Sequence, residues 1–321
     1  MKKYLVTGGF GFIGSNFIIK LYEKEIAIDH NFEIHCIDNL TYAANLENIP
    51  IEIRESSNFI HFNFDIASEE VVKIMQSNYY EFGVNFAAES HVDRSILGSD
   101  VFVRTNVAGV NNLLNGWKQY QTQRFIQIGT DEVYGSVAKG STDELTILDP
   151  SSPYSATKAS ADLLALAFRR THNLDVVVTR CCNNYGPRQH KEKLIPKLMD
   201  ATLNNSELFI YGDGTNIREW IYVDDHVEAL FKIIKAPTLR HQIYNIGSGV
   251  EYTNNSIAKE IINKFGTAST KTRYVQDRPG HDFRYSLDFS RIQSELGYFP
   301  ITNFEKGLEE TFKWFSELKL I

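Results

Sequence analysis

Short runs of apolar, β-branched residues alternate along this chain with longer segments whose apolar positions recur every three or four residues. This alternation predicts strands separated by helices, the order that builds a parallel sheet with helices on both faces. We therefore expect an α/β fold, a Rossmann-type doubly wound parallel sheet. The pattern predicts seven strands, at 3–7, 32–37, 58–64, 82–87, 124–128, 176–180 and 242–247. It predicts helices that include 15–24, 69–78, 101–120 and 151–170.

After Asn183–Pro187 the regular alternation of predicted strands and helices ends, and shorter elements rich in glycine, aspartate and arginine follow. A chain of 321 residues is also longer than one hydrophobic core usually supports. We expect two lobes that share a crevice. The first is a dinucleotide-binding Rossmann domain over 1–182, to which 222–247 returns. The second, a smaller mixed α/β lobe for the substrate, combines 183–221 with 248–321.

Composition narrows the classes of function. The formal net charge is −7 and the pI is about 5.8, which argues against nucleic acid as a partner. The three cysteines lack the spacing of metal ligands, so we expect buried reduced thiols and no metal site. We find no signal-peptide pattern and no apolar run of membrane-spanning length. We expect a cytoplasmic protein without a membrane partner.

Three glycines, Gly8, Gly11 and Gly14, join the first strand to the first helix. Glycine at these places allows a tight turn, a close approach to a pyrophosphate and close packing of helix on strand. The second strand ends in Asp38, whose carboxylate suits the ribose hydroxyls of NAD and would repel the 2′-phosphate of NADP. A glycine-rich turn without a ligand is the alternative, and the flanking elements favour the dinucleotide.

A hydroxyl and two neighbouring carboxyls, those of Thr130, Asp131 and Glu132, follow the fifth predicted strand where it breaks off at Gly129. Ligands of open α/β sheets bind outside the carboxyl ends of the strands. No helical pattern follows Glu132, so we do not interpret these acids as charges of a first helical turn. They are candidate acid and base groups.

Tyr154 and Lys158 stand four residues apart in a predicted helix, which places both on one face. A lysine ammonium beside a tyrosine stabilises the phenolate and lowers a pKa that is about 10 in isolation. The phenolate can then take a proton from an alcohol while hydride leaves the same carbon. Together with the glycine turn, this pair predicts alcohol oxidation by NAD.

The second lobe contains three basic stretches, around Lys193, Arg218 and Arg278. Arginine suits a bidentate grip on a diphosphate, and lysine adds a point charge. Solvated surface charge is the alternative for each of them. Phe209 and Tyr211 could contact a nucleotide base, although an aromatic residue in such an apolar run often packs in a core.

The segment Thr7–Gly14 together with Tyr154 and Lys158 resembles the extended short-chain dehydrogenase/reductase family, which acts largely on nucleotide sugars. Segments 87–95, 130–135, 181–187, 192–196 and 277–282 resemble those of its dehydratases for dTDP-glucose. Residues 130–132 are the most discriminating, because related epimerases carry small, non-acidic residues there. The match runs from the first strand to beyond 285.

The resemblance implies a reaction in three stages. Sugar carbon 4 is oxidised with Tyr154 as the base and Thr130 holding the hydroxyl. Glu132 then removes the hydrogen of carbon 5, and Asp131 protonates the hydroxyl that leaves carbon 6. Hydride returns to carbon 6. The implied product is a 4-keto-6-deoxy sugar nucleotide, a precursor in the biosynthesis of deoxysugars such as rhamnose.

The same resemblance implies two sets of ligand contacts and a homodimer joined by a bundle of the helices at 101–120 and 154–170. The implied NAD contacts are Phe12, Ile13, Asp38, Asn39, Leu40, Thr41, Asp65, Ile66, Phe86, Ala87, Ala88, Glu89, Ser90, Thr105, Tyr154, Lys158 and Asn184. The implied contacts to the dTDP-sugar are Ser90, Thr130, Asn183, Lys193, Leu194, Phe209, Ile210, Tyr211, Arg218, Asn254, Asp277, Arg278, Pro279, Gly280 and His281.

Two other functions stay open at this point. A nucleotide-sugar 4-epimerase would use Tyr154, Lys158 and NAD but would have no use for Asp131 and Glu132. A sensor or scaffold would bind NAD without turnover, although every expected acid and base is present. The base of the nucleotide is also open, since UDP- and GDP-linked sugars undergo similar dehydration.

Overall fold

The computed structural model describes residues 1–266 and 270–318. Its strands are β1 Lys2–Thr7, β2 Phe32–Ile37, β3 Phe59–Phe62, β4 Phe82–Asn85, β5 Arg124–Thr130, β6 Val176–Cys181, β7 Asn183–Tyr185, β8 Leu208–Tyr211, β9 Ile217–Tyr222, β10 Ile243–Ile246, β11 Glu251–Thr253 and β12 Thr272–Val275. Its α-helices are α1 Phe12–Ile26, α2 Ile51–Arg54, α3 Glu69–Ser77, α4 Val92–Leu97, α5 Asp100–Phe102, α6 Val110–Tyr120, α7 Pro153–His172, α8 Leu194–Leu203, α9 Val223–Lys235, α10 Asn254–Phe265, α11 Ser290–Leu296 and α12 Phe304–Leu318.

The large sheet contains seven strands in the order β10-β6-β5-β4-β1-β2-β3, and every adjacent pair is parallel. The chain moves outward from β1 through β2 to β3, then crosses to β4 on the other side of β1. The strand order therefore reverses between β1 and β4. In such sheets a crevice opens at this point, beyond the carboxyl ends of the strands. The predicted Rossmann-type sheet is confirmed.

Helices cover both faces of this sheet, which explains why its strands are continuous apolar runs. One hydrophobic cluster packs α1 and α9 on one face, with Phe17 and Leu230 at its centre. A second cluster packs α3, α6 and α7 on the other face, around Trp117 and Ala161. All seven residues of β5 are buried between the two layers. This burial holds the end of β5, and the polar residues that follow it, in a fixed position.

The second lobe is built on two small sheets, β11-β9-β7 and β12-β8. Helices α8, α10 and α12 pack over a third hydrophobic cluster that includes Ile195, Ile257 and Leu308. Past the predicted border at 248, Ile292 of α11 and Tyr298 pack in the first cluster, with the large sheet. The borders between the lobes stay a prediction, and these contacts favour assigning 287–298 to the first lobe.

Two local predictions were wrong. The segment 101–120 is not one regular helix, because residues Val103–Gly109 between α5 and α6 form a π-helix. A helical turn also does follow β5, since Asp131–Tyr134 form a 3₁₀ turn. The Thr130 hydroxyl starts it by accepting a hydrogen bond of 3.3 Å from the Glu132 nitrogen, and Gly135 ends it at φ +72°. This cap chemistry involves a single turn, too short for a periodic pattern to reveal.

None of the helices in the described part of the chain is long and apolar enough to cross a membrane.

Candidate active site

Three adjoining cavities form one crevice along the carboxyl ends of the large sheet. The first cavity lies beside β1, β2 and β4, and the middle cavity lies at the ends of β5 and β6. The outer cavity, about 410 Å³, opens between segment 91–93 and the second lobe. The first and middle cavities share Gly8, Gly11, Ala43, Phe86 and Ala88. The middle and outer cavities share Glu132, Asn183, Gln189 and Lys193.

The glycine turn packs closely against its neighbours only because its residues lack side chains. A Cβ at Gly8, whose φ is +68°, would lie 2.5 Å from the Ala87 nitrogen. A Cβ at Gly14 would collide with the Gly8 carbonyl oxygen. β1, α1 and the segment after β4 are thus in contact around the turn. The turn opens α1 at the rim of the first and middle cavities, the arrangement that binds a pyrophosphate.

Asp38 ends β2 with its carboxylate held by the backbone. Its Oδ2 accepts a hydrogen bond of 2.9 Å from the Phe10 nitrogen, and its Oδ1 accepts one of 2.9 Å from Leu40. Burial raises the pKa of Asp38, and these two hydrogen bonds oppose the rise. Asp38 lines the first cavity, but Leu40 does not. The backbone of Leu40 has φ +50°, and its side chain packs against the core. The cavity therefore presents a carboxylate where a ribose is expected.

The five candidate catalytic residues all line the middle cavity. Thr130 ends β5 and donates a hydrogen bond of 3.2 Å to Oδ1 of Asp131. Tyr154 and Lys158 lie in the first turns of α7, whose start is fixed by a capping box between Ser152 and Ser155. The structure thus brings together two segments that are more than 20 residues apart in the sequence.

The two carboxyls of the site differ in their electrostatic surroundings. Burial, together with the charges of Glu132 and Glu219, raises the pKa of Asp131 well above its usual value. Burial also raises the pKa of Glu132, but the cations Arg278, Lys193 and Arg218 oppose that rise. These surroundings favour the proton on Asp131 and the charge on Glu132. This distribution suits Asp131 as an acid and Glu132 as a base.

The tyrosine differs from the sequence-based expectation. Burial and the nearby charge of Glu132 raise the pKa of Tyr154 well above 10, instead of lowering it. Nζ of Lys158 donates a hydrogen bond of 2.5 Å to the Ile128 carbonyl oxygen. Burial lowers the pKa of Lys158, while Asp162 opposes this effect. In the protein alone, the phenol is therefore neutral and can first act as a hydrogen-bond donor.

Four lysine and arginine side chains line the outer cavity, all from the second lobe: Lys193, Lys197, Arg218 and Arg278. Lys193 donates a hydrogen bond of 2.9 Å from Nζ to the Ser90 carbonyl oxygen. The guanidinium of Arg218 donates to the backbone carbonyl of Asp282 and stacks at 4.3 Å on the ring of Tyr285. Arg278 has an Nη1 contact of 3.5 Å with Asp93. Its buried Nε has no partner among the described residues.

Strand geometry separates the predicted substrate contacts on β8. Phe209 and Tyr211 line the outer cavity, whereas Ile210 points to the other side and is only 1% exposed, in the core of the second lobe. Alternation of side chains along a strand requires this division. Asp277 lines none of the three cavities in the described structure and pairs with His281 at 2.6 Å. Neither Pro279 nor Gly280 lines any of the three cavities in the described structure.

Most other predicted residues line one of the three cavities. Those lining the first cavity are Gly8, Gly11, Asp38, Asn39, Thr41, Asp65, Ile66, Phe86, Ala87, Ala88, Glu89 and Thr105. Those lining the middle cavity include Phe12, Ile13, Gly14, Ser90, Asn183 and Asn184. Those lining the outer cavity include Asn183, Lys193, Leu194, Arg218, Asn254, Arg278 and His281.

Sequence reasoning missed several residues of the crevice. Gln189, His190 and Cys181 line the middle cavity. Glu192 and Trp220 line the outer one. Position at the end of β6 could have indicated Cys181, but the loop after Pro187 has no periodicity that would indicate which side chains point inward. Within the described residues, no group of three or more acidic, cysteine or histidine side chains could hold a metal ion.

The crevice combines a glycine turn at a topological switch point with an acidic residue after β2, and Tyr154 and Lys158 line its middle cavity. These features define a dinucleotide-dependent enzyme of the extended short-chain dehydrogenase/reductase type. The GDP-mannose 4,6 dehydratase family matches residues 5–311, and this chain belongs to it.

Relatives of known function are similar over nearly the whole chain. The dTDP-glucose 4,6-dehydratase of Streptomyces niveus is 42% identical over 98% of this chain and 93% of its own length. The low-salt glycan biosynthesis protein Agl12 of Haloferax volcanii is 44% identical over 95% of this chain and 96% of its own. The crystal structure of DesIV, a dTDP-glucose 4,6-dehydratase of Streptomyces venezuelae with NAD and TYD bound, has a TM-score of 0.92. It is 42% identical and covers 98% of this chain and 97% of that chain.

Proposed function

We propose that this protein is an NAD-dependent hydro-lyase that converts dTDP-glucose to dTDP-4-keto-6-deoxyglucose. The observation that carries the proposal is the meeting of Thr130, Asp131, Glu132, Tyr154 and Lys158 in one cavity that adjoins the glycine turn. Oxidation alone requires only the tyrosine, the lysine and the cofactor. The two acids in the same cavity provide for the removal of water, which an epimerase would not need.

The first cavity fits NAD by the chemistry of its walls. Gly8 and Gly14 allow β1, α1 and the segment after β4 to pack closely at the start of α1, and Asp38 presents a carboxylate to a ribose. When bound, NAD accepts a hydride from the sugar and later returns it. The positive charge of its nicotinamide ring would also favour the Tyr154 phenolate, which the protein alone disfavours.

The residues at the end of β5 carry the proton transfers. Tyr154 takes the proton of the carbon 4 hydroxyl, which Thr130 orients by a hydrogen bond. Glu132, kept charged by the cations around it, removes the proton of carbon 5 once carbon 4 is a ketone. Asp131, kept protonated by burial, donates to the hydroxyl that leaves carbon 6. Water is thus eliminated across carbons 5 and 6.

The outer cavity suits the nucleotide diphosphate part of the substrate. Lys193, Arg218 and Arg278 supply positive charge in a chain whose net charge is −7, so the cations at this place are a local feature. Nε of Arg278, which has no partner in the described part of the chain, is a donor for a phosphate oxygen. Phe209 and Tyr211 line the same cavity, and we propose that they contact the thymine.

We also propose that the protein forms a homodimer through α4–α7 and the π-helix between them. Several apolar side chains are exposed on these elements: Leu97 (89%), Val101 (47%), Val103 (50%) and Leu163 (58%). Exposed apolar groups of this kind favour a helical bundle with a second copy. The proposed location is the cytoplasm, and the three unpaired buried cysteines suit a reducing compartment.

One assay tests the proposed reaction. Purified protein is incubated separately with dTDP-glucose, UDP-glucose and GDP-mannose, and the absorbance of the keto sugar in alkali is followed. We expect product from dTDP-glucose. Product from another nucleotide sugar alone would revise the base, conversion of dTDP-glucose to a 4-epimer would identify an epimerase, and NAD binding without any turnover would support a sensor.

A further inference from the structure

Gln189 is a polar residue at the junction of the middle and outer cavities. Only 7% of the residue is exposed. Both cavities also share Glu132, Asn183 and Lys193, so Gln189 lies where the reacting end of the sugar meets the part that leads to the diphosphate. It is absent from the walls of the first cavity, where the adenosine half of NAD is expected.

The Gln189 amide has only one chemically consistent orientation. Its Nε2 donates a hydrogen bond of 2.8 Å to the carbonyl oxygen of Asn184. That oxygen can only accept, so the amide nitrogen must face it and Oε1 must point the other way. Oε1 is buried and has no hydrogen-bond partner among the described residues. A buried acceptor without a partner is unfavourable and indicates a donor that arrives with a ligand.

The backbone before Gln189 is held in an uncommon conformation. Arg188 has φ +72°, a region that residues other than glycine rarely adopt. Its guanidinium donates at 2.8 Å to the Asn48 carbonyl oxygen and at 3.1 Å to Oδ1 of Asn16 in α1. These bonds tie the loop to the first lobe and maintain the turn that places Gln189 in the crevice. Strain maintained in this way is common beside ligand sites.

We propose that Oε1 of Gln189 accepts a hydrogen bond from the carbon 2 or carbon 3 hydroxyl of the bound sugar and so selects for a fully hydroxylated hexose. The inference rests on the proposed function. The hydroxyls of carbons 4 and 6 already have partners in Thr130, Tyr154 and Asp131, which leaves these two as the donors of the ring. At the same junction, Oδ1 of Asn183 is a second buried acceptor that has no partner among the described residues.

A neutral amide suits this place for an electrostatic reason. In the proposed reaction Asp131 acts as the acid and Glu132 as the base, and another carboxylate nearby would raise the pKa of both. An amide oxygen recognises a hydroxyl without adding charge. Gln189 is thereby a binding residue whose loss affects recognition of the sugar more than proton transfer.

The test compares wild-type protein with Gln189→Met, which keeps the side-chain length and removes the amide. Substrates are dTDP-glucose and its 2-deoxy and 3-deoxy analogues, and the readouts are kcat, KM and the NAD content of the purified protein. For wild type we expect one analogue to lose at least tenfold in kcat/KM. For Gln189→Met we expect KM for dTDP-glucose to rise about 3- to 12-fold, with that analogue no worse than dTDP-glucose.

Several results would overturn the proposal. If wild type loses less than threefold with both analogues, no hydroxyl is recognised, and this measurement requires no variant to fold. If Gln189→Met and wild type lose the same factor for each analogue, Gln189 does not contact the sugar. A fall in NAD content at unchanged KM would assign the amide to the nicotinamide. If wild type does not turn over dTDP-glucose, the proposed function itself fails.

Gln123→Met, at an exposed glutamine outside the crevice, is the matched control and should match wild type in kcat, KM and NAD content.

Discussion

The hydroxyl of Thr130 lies 3.2 Å from Oδ1 of Asp131 and donates a hydrogen bond to it. The other carboxyl oxygen, Oδ2, is buried and has no partner among the described residues. One end of Asp131 is therefore held by the residue that orients the sugar hydroxyl, and the other end is free for the substrate. This arrangement couples the position of the acid to the position of the reacting carbon.

Glu132→Gln should separate oxidation from dehydration. The amide keeps the shape of the side chain but cannot remove the proton of carbon 5, whereas Tyr154 and Lys158 are unchanged. We expect bound NAD to be reduced after dTDP-glucose is added, with product formation slowed at least 100-fold. Stopped-flow absorbance of the reduced cofactor and the alkali assay for product measure the two steps. Loss of both steps together would contradict the assignment of roles.

Tyr154→Phe should block the first step. The variant keeps the ring, which packs edge-on at 6.5 Å from Phe102, but loses the only hydroxyl assigned to take the alcohol proton. We expect reduction of bound NAD to slow by about 10²- to 10⁴-fold in single-turnover measurements. Unchanged NAD content would show that the cofactor site is intact. An unaffected rate of reduction would mean that another group is the base.

The pH dependence of elimination should reflect the acidic pair. Glu132 acts while charged, and burial raises its pKa from 4.5, so activity should be lost as the pH falls through that raised pKa. Asp131 acts while protonated, and its pKa is raised well above 3.8, so activity should also be lost as the pH rises through it. The apparent values belong to the pair.

A pH series of kcat checks this bell-shaped profile, with reduction of NAD followed separately. In Asp131→Asn the alkaline limb of elimination should disappear along with most of the rate, because an amide does not titrate. An alkaline limb that persists unchanged in this variant would assign it to another group.

Gly8→Ala should abolish retention of NAD. The new Cβ would meet the Ala87 nitrogen at 2.5 Å, on a backbone with φ +68°. Gly140→Ala is the matched control, since Gly140 has φ +73° but faces open space. We expect NAD released from the denatured protein to fall below about a tenth of the wild-type amount for Gly8→Ala only, since the contact, not the φ strain, distinguishes the two. Equal loss in both variants would show that strain alone is responsible.

Arg180→Met should destabilise the fold. Nε of Arg180 donates at 2.8 Å to Oδ2 of Asp162, and both side chains are at most 2% exposed. Removing the arginine leaves a buried carboxyl without its partner, which costs about 3–5 kcal/mol in the free energy of unfolding. Urea unfolding measures this, with Glu207→Gln in an exposed ion pair with Arg273 as the control. That control should change the free energy by less than about 1 kcal/mol.

The double variant Asp162→Leu with Arg180→Met sharpens the argument. Replacing both partners by apolar groups leaves no buried charge, so it should be less destabilised than Arg180→Met alone. A double variant that unfolds more readily than Arg180→Met would show that the ion pair itself, and not the orphaned carboxyl, provides the stability.

The sequence alone was sufficient to predict the large sheet, its glycine turn and the residues that follow its strands. Apolar runs and punctuating glycines are local signals, and parallel strands necessarily place their carboxyl ends at one edge. Thr130, Asp131 and Glu132 could therefore be placed in the crevice before any coordinates. The family resemblance added predicted ligand contacts in loops, where the pattern of apolar and polar residues gives little information.

Tertiary structure alone decided the charge states and the orientation of side chains. Burial raises the pKa of Asp131 and of Glu132, and cations of the second lobe oppose the rise at Glu132. Neither influence can be read from a local pattern. The same is true of Lys158, which bonds to the Ile128 carbonyl oxygen instead of lowering the pKa of Tyr154, and of Gln189, whose loop has no period. Local sequence specifies backbone conformation, whereas desolvation and Coulomb interactions depend on atoms that only folding brings together.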